Sequence, residues 1–124
     1  MNGYLKMSAA LFICMALVPG CTYHNEEDLY PVKPACDTIQ VTYIETIAPI
    51  MTASCNVCHN TVLAPNGIIT DTYTGLRKSV DDQRLWGAVD HQQGYIPMPQ
   101  ETGKLSDCNL ARIRKWIDLG APNN

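Results

Sequence analysis

The sequence predicts an all-α domain of about four short helices over residues 36–124, preceded by an export signal (residues 1–20) and a tether (residues 21–35). Three observations predict it. Apolar residues recur at helical spacing near the C-terminus, between a good N-cap and a glycine stop. A second N-cap pattern opens a segment at Thr42. No alternation of apolar and polar residues runs long enough for a half-buried strand.

The first twenty residues stand apart from that domain. The free amine and Lys6 supply positive charge, Met7 to Val18 is an unbroken apolar or small-residue run, and Pro19-Gly20-Cys21 follows. That order describes an export signal. The run is shorter than the roughly 20 residues of a membrane span. It also lacks the polar periodicity of a buried core helix. Val18-Pro19-Gly20-Cys21 resembles a bacterial lipobox, loosely, since a smaller residue usually stands where Pro19 does. The resemblance implies cleavage before Cys21 and lipidation of its thiol. The mature chain would then be anchored to a membrane of the cell envelope, on the periplasmic side or at the cell surface. Plain secretion with a free Cys21 is the alternative.

Residues 22–34 carry the acidic run Glu26-Glu27-Asp28, two prolines and no helical or strand period, so they read as a tether. An acidic cluster close behind a lipidated cysteine also resembles surface-export signals of some Gram-negative lipoproteins. The net charge is −3 and no basic stripe occurs, which excludes a nucleic-acid partner.

In the domain, Thr42-x-x-Glu45 fits a capping box, with Ile44, Ile47, Ala48 and Met51 on one face of a helix reaching Cys55. Pro49 interrupts this. Either the helix kinks there, or it starts later with Pro49 in its first turn. Two short helices follow, over residues 72–79 and 81–90, the second with an apolar stripe of Leu85, Trp86 and Val89. Gly94 to Pro99 should be extended, because residues before proline avoid the α region. The last helix is the clearest. Ser106 is its N-cap, Leu105 and Leu110 form a hydrophobic staple, and Leu110, Ile113 and Ile117 share a face with Trp116 beside them. Gly120 and Pro122 stop it.

Cys55-Asn56-Val57-Cys58-His59 carries the chemistry. Two cysteines three apart at a helix end can add to both vinyl groups of one haem, and the next histidine can bind its iron. The expected cofactor is therefore one covalent haem c held by Cys55, Cys58 and His59. Three rivals are a thioredoxin-like dithiol, which would follow a strand; a zinc site, which needs four ligands where only one Cys/His group exists; and a local disulfide or free thiols. The second iron ligand should lie far along the chain. Met98, in Pro97-Met98-Pro99, is the first candidate; His91, Met51 and an open position are the alternatives.

From Cys36 to Asn124 the chain resembles a small class I-type cytochrome c domain, as in the single-haem lipoprotein cytochromes of Gram-negative bacteria. The residues that carry the resemblance are Ile47-Ala48-Pro49-Ile50-Met51, the Cys55 to His59 motif, Tyr95-Ile96-Pro97-Met98-Pro99, and Leu105-Ser106-Asp107-Cys108 leading into Ile113 to Pro122. The resemblance implies an all-α bundle around the haem, with N- and C-terminal helices crossing beside it. It implies iron ligation by His59 and Met98, and electron transfer. A proline after the motif often accepts a hydrogen bond from the proximal histidine in such folds, and Pro65 is the one available.

Of six cysteines, Cys14 leaves with the signal, Cys21 takes the lipid, and Cys55 and Cys58 belong to the motif. Cys36 and Cys108 remain, and in an oxidising compartment they should pair. The expected function is a membrane-tethered electron carrier, not an enzyme, exchanging electrons with redox proteins of the envelope. An apolar wall of Ile44, Ile47, Leu85, Trp86, Ile113 and Ile117 would keep water off the iron. The alternatives are a haem enzyme or gas/redox sensor with an open sixth position, for which the sequence offers no His, Arg or acid pair near Met98, and a docking module whose haem is structural.

Overall fold

The computed structural model describes residues 36–100 and 102–124. The expected signal, Cys21 and the tether lie outside the described residues. Among these residues there is no strand, and four α-helices carry the fold: α1 (Ala48–Ser54), α2 (Tyr73–Asp81), α3 (Arg84–Val89) and α4 (Asp107–Asp118). A wide helical turn, Tyr43–Ile47, runs directly into α1, and a short 3-10 turn, Pro65–Gly67, lies between α1 and α2. The wide turn packs against α4, and α3 packs against both α2 and α4. No described helix is long and apolar enough to cross a membrane.

The wide turn resolves the conflict at Pro49. Ile47 N–H donates to Thr42 O at 3.1 Å and Ala48 N–H to Tyr43 O, each spanning five residues instead of four. Regular helix begins at Ala48, so Pro49 sits in the first turn of α1, where its missing N–H costs least. Thr42 Oγ1 caps Glu45 N–H at 3.2 Å, as the capping-box spacing predicts. The reciprocal bond differs: Thr42 N–H goes to Thr46 Oγ1 at 3.4 Å, not to Glu45. The extra residue in the turn also rotates the residues before it about the axis. Ile47 and Met51 stay fully buried, but Ile44 is 65% exposed, so it does not belong to the expected apolar wall.

Helix α4 forms as its sequence dictates. Ser106 Oγ accepts from Asn109 N–H at 3.2 Å, Leu110 is buried, and Leu105 packs against the core. Gly120 takes φ +87°. That lets Gly120 N–H reach Ile117 O and Ala121 N–H reach Trp116 O, both at 2.9 Å, which satisfies two terminal carbonyls. In the middle, Thr72 Oγ1 caps α2 through Gly75 N–H at 3.2 Å. Gln83, at φ +59°, separates α2 from α3.

Trp116, Ile47, Met51, Leu76 and Ile113 are the largest fully buried side chains. Burial stabilises the fold by about 1.5–3 kcal/mol for each such residue. Trp116 Nε1–H donates to Pro122 O at 2.9 Å, so its one polar atom is satisfied. The C-terminal tail is fastened from two sides. Tyr73 Oη donates to Ala121 O at 2.9 Å, Ile44 N–H donates to Asn124 O at 3.0 Å, and Tyr43 N–H donates to Asn124 Oδ1 at 3.0 Å. The Cys36 and Cys108 sulfurs lie at disulfide distance, 2.05 Å, and bridge 72 positions of sequence, as the cysteine count predicts.

Candidate functional site

Beside this core, with Leu85 common to both, the chain leaves a cavity of about 300 Å³. Cys55 and His59 of the motif form one wall, continued by Pro65, Asn66, Ile68 and Thr70. Ser79 of α2 and Leu85 and Ala88 of α3 form the floor, and Tyr95, Ile96 and Met98 close it from the segment after α3. Among the described residues, Arg84 is the only Asp, Glu, Lys or Arg in the lining.

The motif is shaped by hydrogen bonds to one carbonyl. Where α1 ends, Cys58 N–H and His59 N–H both donate to Cys55 O, at 3.1 and 2.9 Å. This tight turn leaves Cys58 exposed, while Cys55 and His59 line the cavity. Cys58 itself is not in the lining. Burial pushes the Cys55 thiol up to about 11. A dithiol redox centre needs the opposite shift, and a helix rather than a strand leads into Cys55, so the thioredoxin-like alternative loses its support. Among the described residues, no three His, Cys, Asp or Glu side chains cluster as a metal site.

Thr70 holds His59 in place. It is buried, and its N–H and its Oγ1–H both donate to His59 O at 2.8 Å. Its single hydroxyl hydrogen is thereby used. The 2.8 Å contact between Thr70 Oγ1 and the Asn56 amide is therefore made by the Asn56 nitrogen, which in that orientation also reaches Met51 O and Thr70 O at 3.2 Å. One network thus joins the end of α1, the motif and the returning chain. Sequence reasoning missed Thr70, because nothing local distinguishes it from a surface threonine.

His59 Nδ1 is buried and has no hydrogen-bond partner. Pro65 does not supply one: its carbonyl accepts from Ile68 N–H at 3.2 Å, closing its own turn. A buried polar atom without a partner costs about 1–3 kcal/mol, so this imidazole is a group with bonding capacity to spare in an apolar wall.

Met98 is half-buried and lines the same cavity. Its segment does not run extended as expected. Gly94, at φ +92°, turns the chain back over the end of α3, where carbonyls need donors. Gln92 N–H takes Gly87 O at 2.9 Å and Met98 N–H takes Ala88 O at 3.0 Å. His91 is exposed, and its Nε2 lies 3.1 Å from Met98 O, so it braces the Met98 backbone from outside the lining. Met51 is fully buried in the core and also lies outside the lining. Of the three rival ligands, Met98 alone shares the cavity with His59.

Several wall residues differ from those expected. Ile47 and Ile113 belong to the core and do not reach the cavity. Trp86 is half-buried under the Arg114 guanidinium, 5.3 Å from the ring centroid, and Ile117 is likewise outside. Tyr95 takes their place. It lies directly on α3 at Gly87, where a Cβ would come within 2.5 Å of the ring. A glycine inside a helical pattern was the available signal. Arg84 shares the cavity with Met98 and His91 lies at Met98 O, whereas neither an arginine nor a histidine was expected near Met98.

The residues present fit a haem on chemical grounds. An imidazole with an unsatisfied nitrogen and a thioether line one apolar cavity, beside a half-buried thiol with a second thiol three residues on. Comparison with known proteins finds no matching family model, no similar curated protein and no similar solved structure.

Proposed function

We propose that this chain is a c-type cytochrome of the class I kind, carrying one haem bound through Cys55 and Cys58 and ligated by His59 and Met98, and that it transfers electrons. The observation that carries the reading is the convergence of His59 and Met98, far apart in sequence, on one apolar cavity beside Cys55. When bound, the haem would supply a reversible one-electron iron couple. The chain's own residues set the conditions for it. Thr70 fixes the backbone of His59. Met98 offers an uncharged sulfur that favours the reduced metal, and Leu85, Ala88 and Ile68 exclude water, which raises the potential. Arg84 is available to the carboxylate substituents of the ring. In the cell the protein would be anchored through a lipid on Cys21 and exchange electrons with redox proteins of the envelope.

Absorption and potential measurements on Met98→Ala test the ligand. The wild type should show the far-red sulfur-to-iron band when oxidised. Met98→Ala should keep its haem, lose that band, fall in potential and bind carbon monoxide. An unchanged band and potential would remove Met98 from the site. Arg84 in the wall favours a second reading, a haem enzyme or gas/redox sensor with an open sixth position. Carbon monoxide binding by the wild type itself would decide for that one.

A further inference from the structure

Helices α3 and α4 end on the same backbone motif, with different residues at its left-handed position. In α4, Gly120 N–H donates to Ile117 O and Ala121 N–H to Trp116 O, both at 2.9 Å, with Gly120 at φ +87°. In α3, His91 N–H donates to Ala88 O at 3.3 Å and Gln92 N–H to Gly87 O at 2.9 Å, with His91 at φ +58°. That position is usually glycine, because a Cβ there is crowded. The cap is closed by backbone groups alone, so it makes no use of the imidazole. The ring is used elsewhere: Nε2 lies 3.1 Å from Met98 O. A carbonyl oxygen only accepts, so Nε2 carries the hydrogen and donates it. Met98 N–H meanwhile donates to Ala88 O at 3.0 Å. Both backbone polar groups of Met98 are therefore held by the end of α3. Residues 91–97 are all exposed, so this segment relies on such bonds more than on core packing.

We propose that His91 is a positioning residue for the sulfur ligand: it accepts a strained backbone conformation and in return clamps the Met98 backbone, which keeps the Met98 side chain in the cavity. The inference rests on the haem reading and goes beyond it, by naming what holds the ligand in place. Strain at a single side chain persists where the surrounding structure makes use of it. Here the left-handed turn aims the ring back at the strap that Gly94 folds over α3. A glycine would cap the helix as it does in α4, but would leave Met98 O without this donor.

Variants of the full-length holoprotein test the clamp. His91→Gly relieves the cap and removes the ring. Its denaturant midpoint should hold or rise, since glycine takes this conformation freely. Carbon monoxide should nonetheless bind the reduced variant about tenfold more tightly, and the far-red sulfur-to-iron band should weaken, because a hydrogen bond that kept Met98 in place is gone. Exchange of the Met98 N–H should quicken about tenfold, while Gly120 and Ala121 stay unchanged. His91→Gln keeps a donor of similar reach and should restore the band, the affinity and the slow exchange. In Met98→Ala, adding His91→Gly should not change carbon monoxide binding, because the ligand being positioned is already absent. Wild-type carbon monoxide binding and exchange in His91→Gly would leave His91 a helix cap only and overturn the proposal. A midpoint that falls equally in the Gly and Gln variants would also overturn it, by making the ring general packing. So would tighter carbon monoxide binding on adding His91→Gly to Met98→Ala, which would make His91 a ligand in its own right. A wild type without covalent haem on a denaturing gel would overturn the haem reading instead, and exchange at Met98 N–H would still decide whether His91 clamps the segment.

Discussion

The half of the domain built on Trp116 and the half built around His59 use similar apolar residues to opposite ends. Around Trp116 the protein satisfies itself: the indole N–H has Pro122 O, the end of α4 has its glycine cap, and the tail is bound to Tyr43, Ile44 and Tyr73. Around His59 the backbone is equally well fastened, by Thr70 and by the Met98–Ala88 bond, yet the side chains leave a cavity and a ring nitrogen without a partner. Apolar burial alone does not distinguish a core from a site. Unfinished hydrogen bonding does, because a protein that could close the gap with its own atoms would gain by doing so.

The comparison can be broken most sharply at the motif. Changing Cys55 and Cys58 together to serine should abolish covalent haem entirely, while either single change should leave at most one thioether. Denaturing gels with haem staining read this out, and a stained double variant would make the cavity something other than a haem site.

On the closed side, Trp116→Ala should cost about 3–5 kcal/mol, measured by denaturant unfolding, because it empties a fully buried site and leaves Pro122 O without its donor. A cost near zero would mean that this half is not the core. The bridge between Cys36 and Cys108 should contribute up to about 4 kcal/mol by constraining the unfolded chain over a long loop. Unfolding of Cys36→Ser with Cys108→Ser, against the oxidised wild type, gives the figure. Free alkylation of both thiols in the unreduced protein would contradict the pairing.

The smallest effect concerns the hinge between the halves. Thr70→Val keeps shape but deletes the hydroxyl that serves both His59 O and Asn56. It should cost about 1–3 kcal/mol, since buried partners lose a bond they cannot replace. If the cavity is a haem site, the variant should also shift the potential. A stability loss without a spectroscopic change would assign Thr70 to scaffolding only.

What was legible in the sequence was local. Ser106, Leu110 and Gly120 mark α4 because caps and 3.6-residue spacing act within a few residues. The Cys55 to His59 motif is legible for the same reason, and so was the pairing of Cys36 with Cys108, once the other four cysteines had roles. The misreadings all involve competition between a local preference and a neighbour. Ile44 has helical spacing with Ile47, but the wide turn that accommodates Pro49 rotates it into solvent. Trp86 looks like a wall of the site, but Gly87 admits the Tyr95 ring on α3 instead.

By itself, then, the sequence determined which segments are helical, where the last helix starts and stops, and which pentapeptide carries reactive side chains, because those properties depend on neighbours along the chain; where the first helix begins relative to Pro49 it left open. Only the tertiary structure decided that Met98 rather than His91 or Met51 shares a cavity with His59 and that Thr70 holds the motif. Each of these depends on how the chain returns: Gly94 folds it over the end of α3, and Thr70 brings it back to His59. Spacing along a chain carries no record of which distant carbonyl will be left needing a donor, and here those carbonyls, Ala88 O and His59 O, set the geometry of the site.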